Sequence, residues 1–118
     1  MAKKVLLAED DVTMVSLLKT LLKMEGYQVV ALDAEDDVPA AVRREQPDVV
    51  LLDVHLFQQS GLEILANLRK ANDTKNICIV MTSGMNVKDE CLRRGANAFL
   101  LKPYMPDDLF EVLDRNIS

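Results

Sequence analysis

Val49-Val50-Leu51-Leu52-Asp53 is a short apolar run that ends, without a break, on a carboxylate. Three other stretches repeat the arrangement: Val5 to Ala8 leads into Glu9-Asp10, Ile77 to Met81 into Thr82, and Phe99 to Leu101 into Lys102. Runs this short, rich in Val, Ile or Leu, read as strands buried on both faces. In an open parallel α/β sheet, ligands bind outside the carboxyl ends of the strands, where polar residues converge on one crevice. The pattern therefore predicts that Glu9, Asp10, Asp53, Thr82 and Lys102 line a single site.

The intervening segments carry helical spacing. Met14, Leu17, Leu18, Leu21 and Leu22 form an i, i+3, i+4, i+7 face that Gly26 can terminate. Tyr27 to Leu32 reads as a second strand and Asp36 to Glu45 as a helix, with Pro39 acceptable in its first turn. Gln46-Pro47 stops that helix. A loop runs from Asp53 to Gly61, and Leu62, Ile64, Leu65 and Leu68 then mark a third helix closed by Asn72-Asp73. Val87 to Arg94 is a fourth helix ending at Gly95, Asn97 to Leu101 the fifth strand, and Pro106 opens a last helix through Leu109, Val112 and Leu113. Five such βα units imply parallel pairing, right-handed crossovers and helices on both faces. The expected fold is α/β and flavodoxin-like: a doubly wound five-stranded parallel sheet, order 2-1-3-4-5, in one domain over residues 1–118.

Composition narrows the function classes. With 49% apolar and 28% charged residues, the chain has an ordinary globular balance and enough length to bury a core unaided. No apolar run approaches the roughly 18 residues of a membrane span, and Met1-Ala2-Lys3-Lys4 leads straight into a strand, so a cytoplasmic location and no membrane partner are expected. A net charge of -5 argues against direct contact with nucleic acid, whose phosphates require clustered Lys and Arg. Cys78 and Cys91 lack CxxC spacing and read as reduced structural thiols, and a single histidine, His55, argues against an imidazole zinc site.

The acidic residues demand a counter-charge. Carboxylates about 4 Å apart at an effective dielectric near 20 repel by roughly 4 kcal/mol per pair, so a cluster must take up protons or a cation. Magnesium suits such a set, being content with one or two carboxylates, a carbonyl, waters and a substrate phosphate. Helix capping accounts for Asp11 but not for a further carboxylate at the next strand's end. Thr82, followed by Ser83-Gly84, offers a hydroxyl to an oxyanion, although alone it would read as a strand end or cap. Lys102 is held extended by Pro103, across a peptide bond whose isomer the sequence leaves open, and can counter both carboxylates and a phosphoryl group.

These residues resemble the response-regulator receiver domain of two-component phosphorelays over essentially the whole length. The resemblance is carried by Val5-Leu6-Leu7-Ala8-Glu9-Asp10-Asp11, Pro47-Asp48-Val49-Val50-Leu51-Leu52-Asp53, Ser60-Gly61, Thr82-Ser83-Gly84 and Gly95-Ala96-Asn97-Ala98-Phe99-Leu100-Leu101-Lys102-Pro103. It implies that Asp53 accepts a phosphoryl group from a phosphohistidine on a kinase or phosphotransfer protein. By the same resemblance Asp10 and Asp53 ligate Mg2+ directly, Glu9 acts through metal-bound water, and the backbone carbonyl of His55 is a further ligand. Thr82 and Lys102 would bind the phosphoryl oxygens, and Phe99 would be a switch aromatic coupled to Thr82. Phe99 reads equally as ordinary core. A downstream protein would be met on the face of the fourth helix, fifth strand and fifth helix, beside Tyr104 and Met105, with Tyr104 equally readable as packing. Catalysis would be confined to the domain's own phosphotransfer and autodephosphorylation, so the chain is not expected to be an enzyme in its own right.

The chain departs from the family pattern at several positions. Phe57-Gln58 stands where Pro-Gly is frequent and Gln59 where methionine is common, so the loop after Asp53 is expected to take another shape, with consequences for kinase docking. Gly84 and His55 occupy positions that influence phosphoryl lifetime. Two other functions fit parts of the pattern: a Mg2+-dependent aspartyl phosphohydrolase, which His55 in place of a second acid disfavours, and a receiver-like scaffold that is not phosphorylated, which the intact acidic set disfavours. The chain closes with the last helix, which is expected to leave no output module, and Met1 suggests a natural single domain, although a domain cut from a larger protein would look the same.

Overall fold

A computed structural model describes residues 2–33 and 35–117; Met1, on which the expectation of a natural start rests, lies outside them. The elements follow the expected alternation: β1 (Lys4–Ala8), α1 (Val12–Met24), β2 (Gln28–Ala31), α2 (Val38–Glu45), β3 (Val49–Asp53), α3 (Gly61–Lys70), β4 (Cys78–Ser83), α4 (Lys88–Arg93), β5 (Ala98–Leu101) and α5 (Pro106–Ile117). The five strands pair in parallel in the order β2-β1-β3-β4-β5, as predicted.

Local chemistry sets the helix starts. Asp11 accepts a hydrogen bond from the Met14 N–H at 3.1 Å, Asp37 from Ala40 at 3.0 Å and Ser60 from Glu63 at 3.3 Å, each satisfying an amide that a helix leaves open in its first turn. Because Asp37 is spent as the cap, α2 begins at Val38 rather than Asp36, and Pro39 falls in the first turn where its missing N–H costs nothing. Gly26, at φ 93°, turns the chain out of α1 into β2.

The strands alternate their side chains between two layers. Leu6, Ala8, Val50, Leu52, Ile79 and Met81 pack with α2, α3 and α4. Val5, Leu7, Val49, Leu51, Val80 and Leu100 pack with α1 and α5. Each fully buried aliphatic side chain contributes roughly 1.5–3 kcal/mol, which is why the strand runs lack polar residues until their ends.

Two features depart from the sequence reading. β3 and β4 run on into the polar residues, so that Asp53 pairs with Thr82 within the ladder. The loop after Asp53 contains a short antiparallel hairpin, His55–Leu56 against Gln59–Ser60, with Phe57 and Gln58 at its turn. No Gly or Asn-Gly pair announces that turn, and Phe57 adopts φ 53° in the left-handed region.

At the amino ends of the strands, Arg69 braces three segments. Its guanidinium donates to the carbonyls of Gly95 (2.8 Å), Lys75 (3.1 Å) and Ile77 (2.8 Å) and to Asn97 Oδ1 (2.8 Å). Asn97 Oδ1 also accepts from the Ile79 N–H at 2.8 Å, joining the residue before β5 to the start of β4.

Gly61 is where the hairpin returns to the sheet. Its N–H donates to the Val54 carbonyl at 2.6 Å, and a Cβ there would collide with the backbone of Asp53 and Val54. Backbone atoms cannot rotate aside, so Gly61→Ala should lower unfolding free energy by about 3 kcal/mol, read as a reduced midpoint in urea.

Candidate functional site

Strand alternation aims the decisive side chains at one place. Glu9 continues the series of Val5 and Leu7, Asp53 that of Val49 and Leu51, Thr82 that of Val80, and Lys102 that of Leu100, all on the layer of α1 and α5. At the carboxyl ends these positions pass beyond the apolar layer and carry polar groups. Glu9, Asp53, Thr82 and Ser83 are all buried there.

Lys102 holds the site together. Its Nζ donates to Glu9 Oε1 at 2.7 Å, Glu9 Oε2 at 2.8 Å and Asp53 Oδ2 at 2.8 Å. The Lys102 N–H donates to the Ser83 carbonyl at 2.8 Å, which fixes where the side chain departs from the backbone. The Lys102-Pro103 peptide is cis. On the other side of Asp53, the Val54 N–H donates to the Thr82 carbonyl at 2.8 Å and ties the two strand ends.

Asp10 lies at the exposed rim. Glu9, Asp10 and Asp53 each offer a ligand oxygen, and these atoms all fall within 4.8 Å of one another. Three carboxylates thus face one ammonium. Burial, and then the neighbouring Asp53, push the Glu9 carboxyl up to about 7, against the opposing pull of Lys102. Burial works against the Lys102 ammonium, yet its bonds to Asp53 and Glu9 leave it raised above the usual lysine value. All the candidate ligands are hard oxygens, a donor set that fits Mg2+.

The carboxylate oxygens are not equivalent. Both oxygens of Glu9 accept from Lys102, as does Oδ2 of Asp53. Oδ2 of Asp10 accepts from the backbone N–H of Phe57 at 3.0 Å. That leaves Oδ1 of Asp10 and Oδ1 of Asp53 as the oxygens without a hydrogen-bond donor among the described contacts. The bond from Phe57 was not legible in the sequence, because it depends on the backbone shape of the hairpin turn and on no side chain.

The remaining expected residues lie around this centre. His55 follows Asp53 by two positions, in the hairpin, with its side chain exposed. Phe99 pairs in register with Met81 and packs, half-buried, with the α2–α4 layer, opposite the layer to which alternation assigns Thr82. Tyr104 packs against the α1–α5 layer, and its phenol is pushed up by burial and by the nearby charges of Glu9 and Asp53. Met105 and Leu101 are exposed beside it. Cys78 and Cys91 are free thiols, with no disulfide among the described residues. No described helix is long and apolar enough to cross a membrane.

Comparison with known proteins gives a consistent match. The family model described as the response regulator receiver domain covers residues 5–114. The chemotaxis protein CheY of Listeria monocytogenes is 28% identical over 117 residues, covering 95% of this chain and 96% of the relative. The transcriptional regulatory protein KdpE of Staphylococcus aureus is 30% identical over 109 residues, 92% of this chain but only 47% of that protein. The chain likewise spans about half the length, 45%, of the probable transcriptional regulator ycf27 of Porphyridium aerugineum. Among solved structures, a putative response regulator from Chloroflexus aurantiacus superimposes with a TM-score of 0.91 at 25% identity, covering 99% of this chain and 98% of that one. The receiver domain of sensor histidine kinase PA1611 from Pseudomonas aeruginosa, solved with a magnesium ion coordinated in its active-site cleft, superimposes with a TM-score of 0.83 at 26% identity, covering 99% and 98%.

Glu9 binds its proton more tightly in the folded chain, at about 7, than at the ordinary value of 4.5. Its contribution to stability is therefore full below pH 4.5 and is lost as pH rises towards 7. In the metal-free chain, the unfolding free energy relative to Glu9→Gln should fall across that window in urea titrations, and Mg2+ should flatten the fall by supplying the missing positive charge.

Proposed function

The chain belongs to the response regulator receiver domain family, and from that premise we propose that it is a phosphoacceptor switch of a two-component phosphorelay, with Asp53 as the acceptor. The observation that carries the reading is the placement of Lys102 Nζ 2.8 Å from Asp53 Oδ2, beside three carboxylates whose ligand atoms lie within 4.8 Å of one another. An aspartate needs such surroundings to hold a transferable anion.

In the proposed transfer, a carboxylate oxygen of Asp53 forms a bond to phosphorus as the P–N bond of a partner's phosphohistidine breaks, and the electron pair returns to the imidazole nitrogen. A carboxylate is already ionised, so no general base is required, and catalysis rests on in-line placement and charge neutralisation. Lys102 would neutralise the phosphoryl oxygens, and the Thr82 hydroxyl would donate to one of them. Bound Mg2+ would neutralise further charge on the transferring group, with Asp10, Asp53 and the His55 backbone carbonyl as its direct holders. The double engagement of Glu9 by Lys102 supports a role for Glu9 through water rather than direct ligation. The magnesium in the cleft of the PA1611 receiver domain supports the choice of ion.

The phosphodonor would be a histidine kinase or phosphotransfer protein, and the output a shift in population between two surface states. The exposed Leu101 and Met105, with half-buried Tyr104 between β5 and α5, support the α4-β5-α5 face as the surface read by a downstream protein. Thr82 and Phe99 are the proposed switch pair. A cytoplasmic setting, the compartment of soluble phosphodonors, goes with this reading.

With acetyl phosphate and Mg2+, intact mass measurement should show the gain of one phosphate on the unaltered chain and none on Asp53→Asn. Lys102→Ala should slow the gain on the order of a hundredfold, the usual consequence of removing one preorganised charge-stabilising donor. An unaltered chain that stays at its starting mass would refute the acceptor role.

A further inference from the structure

We infer that the backbone N–H of Phe57 is a positioning group for the cation site, holding Asp10 by one oxygen and leaving the other to a cation; this rests on reading Glu9, Asp10 and Asp53 as the Mg2+ site. Among the described residues, two that are not glycine have positive φ, Gln46 at 48° and Phe57 at 53°. Gln46 has a local reason: it ends α2, and its N–H bonds back to the Val42 carbonyl. Phe57 has none of that kind. Its N–H instead reaches Asp10 Oδ2, 47 positions away in sequence, at 3.0 Å.

The turn geometry makes this contact. Phe57 is the first central residue of a two-residue turn between Leu56 and Gln59, a place where positive φ normally calls for glycine. A bulky residue in that conformation is an outlier, and such outliers persist where the surroundings hold them. Here the surroundings are the Asp10 carboxylate at the amide and the α2–α4 layer at the ring. With Oδ2 of Asp10 occupied, Oδ1 is the oxygen left for a cation. Groups that orient a metal ligand from behind in this way commonly change metal affinity by about 10–100-fold when removed. A proline at position 57 would be held near φ −65° and would carry no N–H, so it removes both the conformation and the donor.

The test is calorimetric titration of Mg2+ into the full chain and into Phe57→Gly, Phe57→Pro and a variant in which the Phe57 amide is replaced by an ester. The ester deletes the donor alone and keeps the comparison valid if Phe57→Pro fails to fold. Phe57→Gly keeps the N–H and the turn, and should bind Mg2+ within about twofold of the unaltered chain. The proline and ester variants should bind about tenfold more weakly. Equal affinities across the set would overturn the inference and leave the proposed function standing. A glycine variant as weak as the ester would overturn it too, by assigning the effect to the ring. An unaltered chain that takes up no Mg2+ would remove the inference together with the cation-site reading beneath it.

Discussion

Glu9 and Asp53 can share a buried corner because the Lys102 ammonium stands between them. Carboxylates at about 4 Å repel by roughly 4 kcal/mol even at an effective dielectric near 20, and neither group has bulk water to dissipate its charge. Lys102 reaches Glu9 on both oxygens and Asp53 on one. It comes from the end of the outer strand β5, two strands away from β3 and so about 10 Å across the sheet. A long, flexible stem is needed to cover that distance, and the strand order is needed to make it coverable. One ammonium against three carboxylates still leaves negative charge in excess, which a bound cation would offset.

Much of this was legible in the sequence for a simple reason. In a parallel sheet covered on both faces, burial dictates the strand residues so completely that a polar side chain at a strand end has no packing explanation. Glu9, Asp53, Thr82 and Lys102 are conspicuous on that ground, and their positions relative to the apolar runs also fix which layer they face. The helices were equally readable where a cap and an apolar stripe agreed, as at Asp11 with Leu18 and Leu22. Five βα units imply a parallel sheet, and the order 2-1-3-4-5 is the one that sets the carboxylates after the first and third strands side by side.

What was hidden depends on backbone geometry. The hairpin after Asp53 carries no glycine at its turn, so nothing in Phe57-Gln58 signals a left-handed residue. For an L side chain that conformation costs about 1–2 kcal/mol, an amount comparable with a hydrogen bond to a charged acceptor, and only the folded chain reveals that the Asp10 carboxylate supplies one. β3 and β4 extend past their apolar runs for a related reason: Asp53 and Thr82 stay in the ladder through their main-chain groups, to which the hydrophobic pattern is blind. Phe99 shows the reverse limit, since an aromatic on a strand looks the same whether it is core or a moving part.

The Arg69 brace separates the two ends of the sheet by their chemistry. Its acceptors are three main-chain carbonyls and one amide oxygen, none of which titrates, and a guanidinium keeps its proton at any pH a protein survives. That clamp is therefore indifferent to acidity, whereas Glu9 at the opposite rim is not. The frame is thus tied by groups that keep one charge state, while a carboxyl that changes its own lies at the other pole of the sheet.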